Sequence, residues 1–288
     1  MLLDLADLAP VHDPDGDDHG DLRSWRDVEL PGLDRSAEIY AWLPPGYDET
    51  DERYPVLYLH DGHNLFLRSR TFEGSSWQVG EAMTGLAAQG IPAIVIGIPC
   101  HPEQRGEEYT QYAHPEHGGG RAADYATFLV EHLKPAVDAT LRTLPDPEHT
   151  VVAGSSLGAV VSAYLWLEHQ DAFRGVGLFS PAFWWPGEQA LTDLEQALAA
   201  GAVGGRVHLD VGGHEEPDRP EIEQAYVRDA ERLLGALREA QVPVRYLYDS
   251  SAYHFETAWA DRFPAAAAWL LRPAPPLFFV DPSPEGDG

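Results

Sequence analysis

Residues 154–158 read Gly-Ser-Ser-Leu-Gly, directly after the β-branched run Thr150-Val151-Val152 and before the apolar segment Ala159 to Leu167. This fits G-x-S-x-G with Ser156 at its centre. The pattern suits a sharp strand-to-helix turn, where backbone crowds backbone and only glycine fits two residues before and two after the centre. Such a turn lifts the central hydroxyl clear of a sheet and sets it at a helix N-terminus, which favours developing negative charge. The spacing therefore predicts Ser156 as a nucleophile, and Ser155 as a residue that helps the turn. The chemistry would be attack on an acyl carbon.

A serine hydroxyl needs a base. His254 follows the strand expected at 243–249 and opens the closing helix. The base in turn needs an acid between Ser156 and His254. The segment "VHLDVGGHEEPD" is expected to end a strand at Val211 and to turn at Gly212 and Gly213, which favours Glu215 as that acid. Glu216, Asp218 and Asp210 stay open as alternatives. Two backbone N–H groups must receive the oxyanion. Leu157, next after the nucleophile, supplies one; His63, in the turn 60–64, is expected to supply the other. Asn64 in that turn, Arg105 in the loop 99–120, and Trp184 with Trp185 are candidate substrate contacts. The tryptophans would form a stacking wall, with packing onto the core as the competing reading. Arg105 is expected to hold its loop through an ion pair with Glu108, or else to touch a substrate carboxylate.

The elements that must place these groups alternate along the chain. An antiparallel start near Trp25 precedes buried runs at 53–62 and 91–99, then strands at 150–153, 174–180, 205–212 and 243–249, separated by amphipathic helices. One long helix is expected at 121–144. Strands alternating with helices predict a single α/β domain with a mostly parallel central sheet and helices on both faces. Residues 1–23 read as a flexible acidic lead-in, 24–272 as the domain, and 273–288 as a Pro-rich acidic tail.

The chain has 288 residues and a net charge of −28, a surface that repels nucleic-acid phosphates and anionic lipid. Cys100 is the sole cysteine, which rules out an intrachain disulfide. Neither a basic n-region with a long apolar stretch nor a spanning run stands near the N-terminus, so a cytoplasmic protein is expected. The partner is expected to be a small-molecule ester, with no nucleic acid and no membrane, and a homo-oligomer is left open.

Taken in order, "YPVLYLHDGHNLF", "RGEEYTQYA", "GSSLGAVVSAY", "LFSPAFWW", "LDVGGHEE" and "HFETAWADRFPAAAAWL" resemble one esterase branch of the α/β-hydrolases. That branch contains enterochelin esterases, feruloyl and acetyl xylan esterases, S-formylglutathione hydrolase and antigen 85 mycolyltransferases. The resemblance covers about residues 25–271. It implies an α/β-hydrolase fold and a serine esterase with Ser156, His254 and an acid in the 210–216 segment. It also implies donors at His63 and Leu157, and no metal or organic cofactor. His63, Thr110-Gln111 and Ala159 depart from the usual pattern, which leaves the substrate pocket open. Three rival readings are an acyltransferase on the same fold, a non-catalytic binding protein, and a metal hydrolase using His60 and His63. The last lacks H-E-x-x-H or any consistent ligand spacing.

Overall fold

A computed structural model describes residues 3, 5, 7–13, 19–71, 74–272 and 278–280. Ten strands form one sheet in the order β1-β2-β3-β5-β4-β6-β7-β8-β9-β10. The antiparallel part holds β1 (Ala9–Pro10), β2 (Asp21–Leu30) and β3 (Arg35–Leu43), and β3 joins β5 (Ile94–Ile98) antiparallel. From there the pairing is parallel through β4 (Val56–His60), β6 (Thr150–Ser155), β7 (Gly175–Phe179), β8 (Arg206–His214), β9 (Val244–Tyr253) and β10 (Phe278–Val280). β4, β5, β6 and β7 are buried along their whole length, as strands covered on both faces require. The fold is an α/β-hydrolase fold, and the sheet is mostly parallel as the sequence predicts.

Two apolar clusters flank the sheet. One side packs around Tyr58, Ile96, Val160 and Trp166; the other packs around Trp42, Leu59, Trp77 and Phe263. The covering helices are α1 (Val79–Ala88), α2 (Arg105–Tyr109), α3 (Ala122–Thr127), α4 (Lys134–Thr140), α5 (Leu157–Glu168), α6 (Glu188–Ala199), α7 (Pro220–Glu239) and α8 (Glu256–Leu271).

Three expectations change. The helix expected at 121–144 is interrupted by a π-helical stretch, Phe128–Leu133. Pro135, at the start of α4, has no N–H to give the regular i−4 bond, so the ladder widens just before it. The N-terminal boundary also moves. β2 begins at Asp21, and His19 is buried with a hydrogen bond to Asp13 of 2.8 Å, so residues before 24 are partly built into the sheet edge. Gly212 and Gly213 do not turn the chain; β8 runs on to His214. Of the tail, residues 278–280 extend the sheet beside β9, and the rest lies outside the described residues.

Candidate active site

Three strand ends build the site. At the end of β6 the chain enters α5 through Ser156, whose φ of 57° and ψ of −122° lie outside the regions open to most side chains. Holding a serine there costs about 1–3 kcal/mol, which the surroundings must supply. They do so sterically. A Cβ on Gly154 would stand 2.8 Å from the Gly158 carbonyl carbon, and one on Gly158 would stand 3.1 Å from Asp61 Oδ2. The Ser156 N–H donates to the Phe179 carbonyl at 3.0 Å, tying the elbow to β7. The Leu157 N–H opens α5 and is among the donors a helix start leaves without an internal partner.

The second and third groups come from the ends of β8 and β9. These strands approach so closely that a Cβ on Gly212 would sit 2.6 Å from the Ala252 carbonyl oxygen, and one on Gly213 2.4 Å from that of Ser250. Close approach, and not a turn, is what the two glycines serve. It brings the fully buried Glu215 side chain to His254, whose Nδ1 lies 2.6 Å from Glu215 Oε2. The other carboxylate oxygen accepts the Gly212 N–H. Burial alone would raise the Glu215 carboxyl. The hydrogen bond and charge of His254, with the Ser180 hydroxyl and the Gly212 N–H, outweigh it and hold the group below the ordinary carboxylate range. The other acids stand elsewhere. Glu216 pairs with Arg219 at 2.8 Å, Asp218 is exposed, and Asp210 is buried against His208 and Arg262.

Ser156, Leu157 and His254 open onto one cavity of about 710 Å³. Trp184 and Trp185 line it, with rings 5.4 Å apart, and Trp185 meets His117 at 4.6 Å. The loops 99–120 and 181–187 therefore form one continuous aromatic wall. Arg105 also lines the cavity, but it does not pair with Glu108. It donates two hydrogen bonds to Asp61, each 2.8 Å, and a third to the Ser155 carbonyl at 3.2 Å. Glu108 instead takes Arg35 at 2.6 and 2.8 Å. The loop is thus held to β4, β3 and the elbow by two separate ion pairs, and Asp61 stays ionised because Arg105 outweighs the effect of its burial. Asn64 does not line this cavity; it is buried and its amide donates to Glu256 at 3.1 Å. The His63 ring lies with Asp61 and Cys100, and His63 is not among the residues lining this cavity.

Among the described residues, Asp61, His63 and Cys100 form a group with metal-capable atoms within 4.8 Å of one another. Both Asp61 oxygens already accept N–H groups from Arg105, and burial pushes the Cys100 thiol up, away from the thiolate a metal requires. The donor set suits a packed floor under the elbow better than an ion.

Sequence reasoning missed several wall residues. Tyr226 of α7 is 2% exposed and packs 5.1 Å from the His254 ring and 6.3 Å from the Trp184 ring. Burial pushes this phenol up to about 12, so it stays protonated as a donor. Arg121 and Arg219 also line the cavity, each paired with a carboxylate, Asp124 at 3.0 Å and Glu216 at 2.8 Å. A helical tyrosine or a loop arginine has no motif around it, so only the fold reveals them.

A histidine whose imidazole meets a buried carboxylate and a serine on a strained elbow open onto the same cavity. The esterase family, described as "Putative esterase", matches residues 31–270, and the chain belongs to it. It is a carboxylic ester hydrolase by class. It is similar to the uncharacterized protein YbbA of Bacillus subtilis, 23% identical over 239 residues that cover 80% of this chain and 90% of that one. It also resembles the iron(III) enterobactin esterase of Escherichia coli O6:H1, 30% identical over 183 residues, 61% of this chain and 41% of that one. The chain thus spans less than half of that curated relative. Among solved structures, an IroE-like serine hydrolase from Shewanella oneidensis superposes with a TM-score of 0.70 at 20% identity. The match covers 85% of this chain and 79% of the other. The ferric enterobactin esterase of Salmonella typhimurium superposes with a TM-score of 0.64 at 20% identity, covering 86% of this chain and 57% of the other. No described helix is long and apolar enough to cross a membrane.

Proposed function

We propose that the chain hydrolyses a carboxylic ester through an acyl-enzyme on Ser156, with His254 as general base and Glu215 as the acid of the triad. The observation that carries this reading is the 2.6 Å contact between His254 Nδ1 and the buried Glu215. A carboxylate on Nδ1 leaves Nε2 of the neutral ring as the basic nitrogen, the one that can take a proton from the nucleophile. His254 withdraws the Ser156 proton as Oγ attacks the ester carbonyl. The oxyanion is received by the Leu157 N–H, with the His63 N–H as its expected companion. His254 then protonates the leaving alcohol, and water repeats the cycle on the acyl-serine.

The substrate we infer carries an aromatic group. Trp184, Trp185 and His117 line one side of the cavity, and aromatic rings stack there at little conformational cost. Relatives named for feruloyl and enterobactin esters agree with that preference. The test is a panel of p-nitrophenyl, feruloyl and catecholate-trilactone esters with acetylated sugars, run beside Ser156→Ala. Aryl-acid esters turned over best, with a loss of about 10³-fold or more in the variant, are expected. Activity that survives the substitution would remove Ser156 from the mechanism.

A further inference from the structure

The turn that carries His63 is a short 3₁₀ stretch, Gly62–Asn64, just after β4. Asp61 before it has a φ of 55°, and a Cβ on Gly62 would stand 2.6 Å from the Gly97 carbonyl carbon of β5. The turn is pressed against the sheet there, and its aim depends on what holds it from either side. On the side of the loop 99–120 the hold is the ion pair of Arg105 with Asp61. On the other side it is Asn64. The Asn64 N–H donates to the Asp61 carbonyl at 2.8 Å and closes the turn, and the Asn64 carbonyl accepts the Trp77 N–H at 2.9 Å. The Trp77 ring in turn packs 5.8 Å from Trp259 of α8. The Asn64 side-chain amide donates to Glu256 Oε1 at 3.1 Å. Glu256 is the first residue of α8, two positions after His254, and it is buried, as is Asn64. A hydrogen bond in such a place is shielded from competition with water.

We propose that Asn64 is a positioning residue for the ester hydrolysis: its bond to Glu256 fixes the oxyanion turn against the start of α8 and so sets the span between the His63 N–H and His254. The inference rests on the roles given to those two groups above. Both must act around one carbon at once, the N–H on the oxyanion and Nε2 on the proton that Oγ loses and the leaving oxygen gains. They arrive from the ends of β4 and β9, with β6, β7 and β8 between them in the sheet, so strand pairing alone does not bring them together. A misplacement of about 1 Å at such a site can cost about 10²-fold in rate. Arg105 ties the turn to the nucleophile, through Asp61 and the Ser155 carbonyl, and Asn64 ties it to the base.

The test compares Asn64→Ala, Asn64→Asp, which keeps the shape and loses the donor, Glu256→Ala, and Glu256→Gln, which keeps an acceptor oxygen. Turnover of p-nitrophenyl benzoate is measured beside inhibition by phenyl trifluoromethyl ketone and by benzoate. The ketone adds to the Ser156 hydroxyl oxygen and leaves an anionic oxygen where the substrate's would form, whereas benzoate occupies the site without forming one. In the first three variants kcat is expected to fall on the order of tenfold with KM changed less than about twofold. Ketone binding is expected to weaken by the same factor and benzoate binding to stay as in wild type. Glu256→Gln is expected to recover most of the loss seen in Glu256→Ala. The double variant Asn64→Ala with Glu256→Ala is expected to be no slower than the slower single one, because both remove the same bond. Lower melting temperatures with wild-type kcat and ketone binding in the folded variants would overturn the inference, and so would losses that multiply in the double variant. An active Ser156→Ala would instead overturn the reaction assigned above, and this inference with it.

Discussion

Arg105 and Asp61 meet in a two-pronged ion pair under the cavity, both contacts 2.8 Å, with a third Arg105 N–H on the carbonyl of Ser155. One side chain thus fastens the loop 99–120 to the end of β4 and to the residue before the nucleophile. A lysine cannot reproduce this planar fork. Arg105→Lys should lower kcat/KM by about 10- to 100-fold through a displaced elbow. Arg105→Met should cost about 3 kcal/mol by leaving Asp61 buried without its partner. Steady-state kinetics beside urea unfolding separate the two effects; wild-type kinetics in both variants would show that the elbow does not depend on this clamp.

His60 predicts the acid lability of the fold. It is buried at the end of β4, with Nδ1 2.9 Å from the Tyr125 hydroxyl, and burial pushes its pKa down to about 3. The folded ring stays neutral, while the unfolded ring takes a proton below its ordinary value. Stability from this group is therefore complete above about pH 6.5 and is lost as pH falls toward 3, by about 1.4 kcal/mol per pH unit. His60→Asn should be less stable at pH 7, yet lose less between pH 7 and pH 5 than wild type. Parallel pH slopes of the urea midpoint in the two proteins would contradict this.

Tyr226→Phe keeps the ring against His254 and removes the hydroxyl that Tyr226 brings to the wall of the cavity onto which Ser156 opens. A neutral hydrogen bond is worth about 0.5–1.5 kcal/mol, so kcat is expected to fall about 3- to 10-fold with little change in melting temperature. An unchanged kcat would place the phenol outside the reaction.

The aromatic wall predicts selectivity. Trp185→Ala should raise KM for aryl-acid esters by about tenfold, the value of one aromatic pair near 1.4 kcal/mol, and leave short alkyl esters within about twofold. Equal losses on both series would mean that the tryptophan packs the loop and does not meet substrate.

The order of strands and helices was readable because buried strands and amphipathic helices carry distinct periods, and the elbow was readable because its glycines are sterically forced. Glu215 was favoured among four acids, but its reason differs from the expected one. The two glycines before it relieve a close approach of β8 and β9, a contact between segments about forty residues apart that no local pattern encodes. Arg105 pairs with Asp61 and not with Glu108 for a like reason. Glu108 is near in sequence, whereas Asp61 is near only once β4 and β5 lie side by side. Asn64 shares a turn with His63 yet is drawn to Glu256 on α8, a partner 192 residues away.

The central claim, a covalent acyl-enzyme on Ser156 assisted by His254, is tested most directly with a fluorophosphonate ester and intact-mass measurement of the folded protein. One adduct per chain, mapped to the peptide carrying Ser156, absent in Ser156→Ala and slowed by about 10³-fold or more in His254→Ala, is the predicted result. A folded chain that takes no label, or takes it at another residue, would contradict the account.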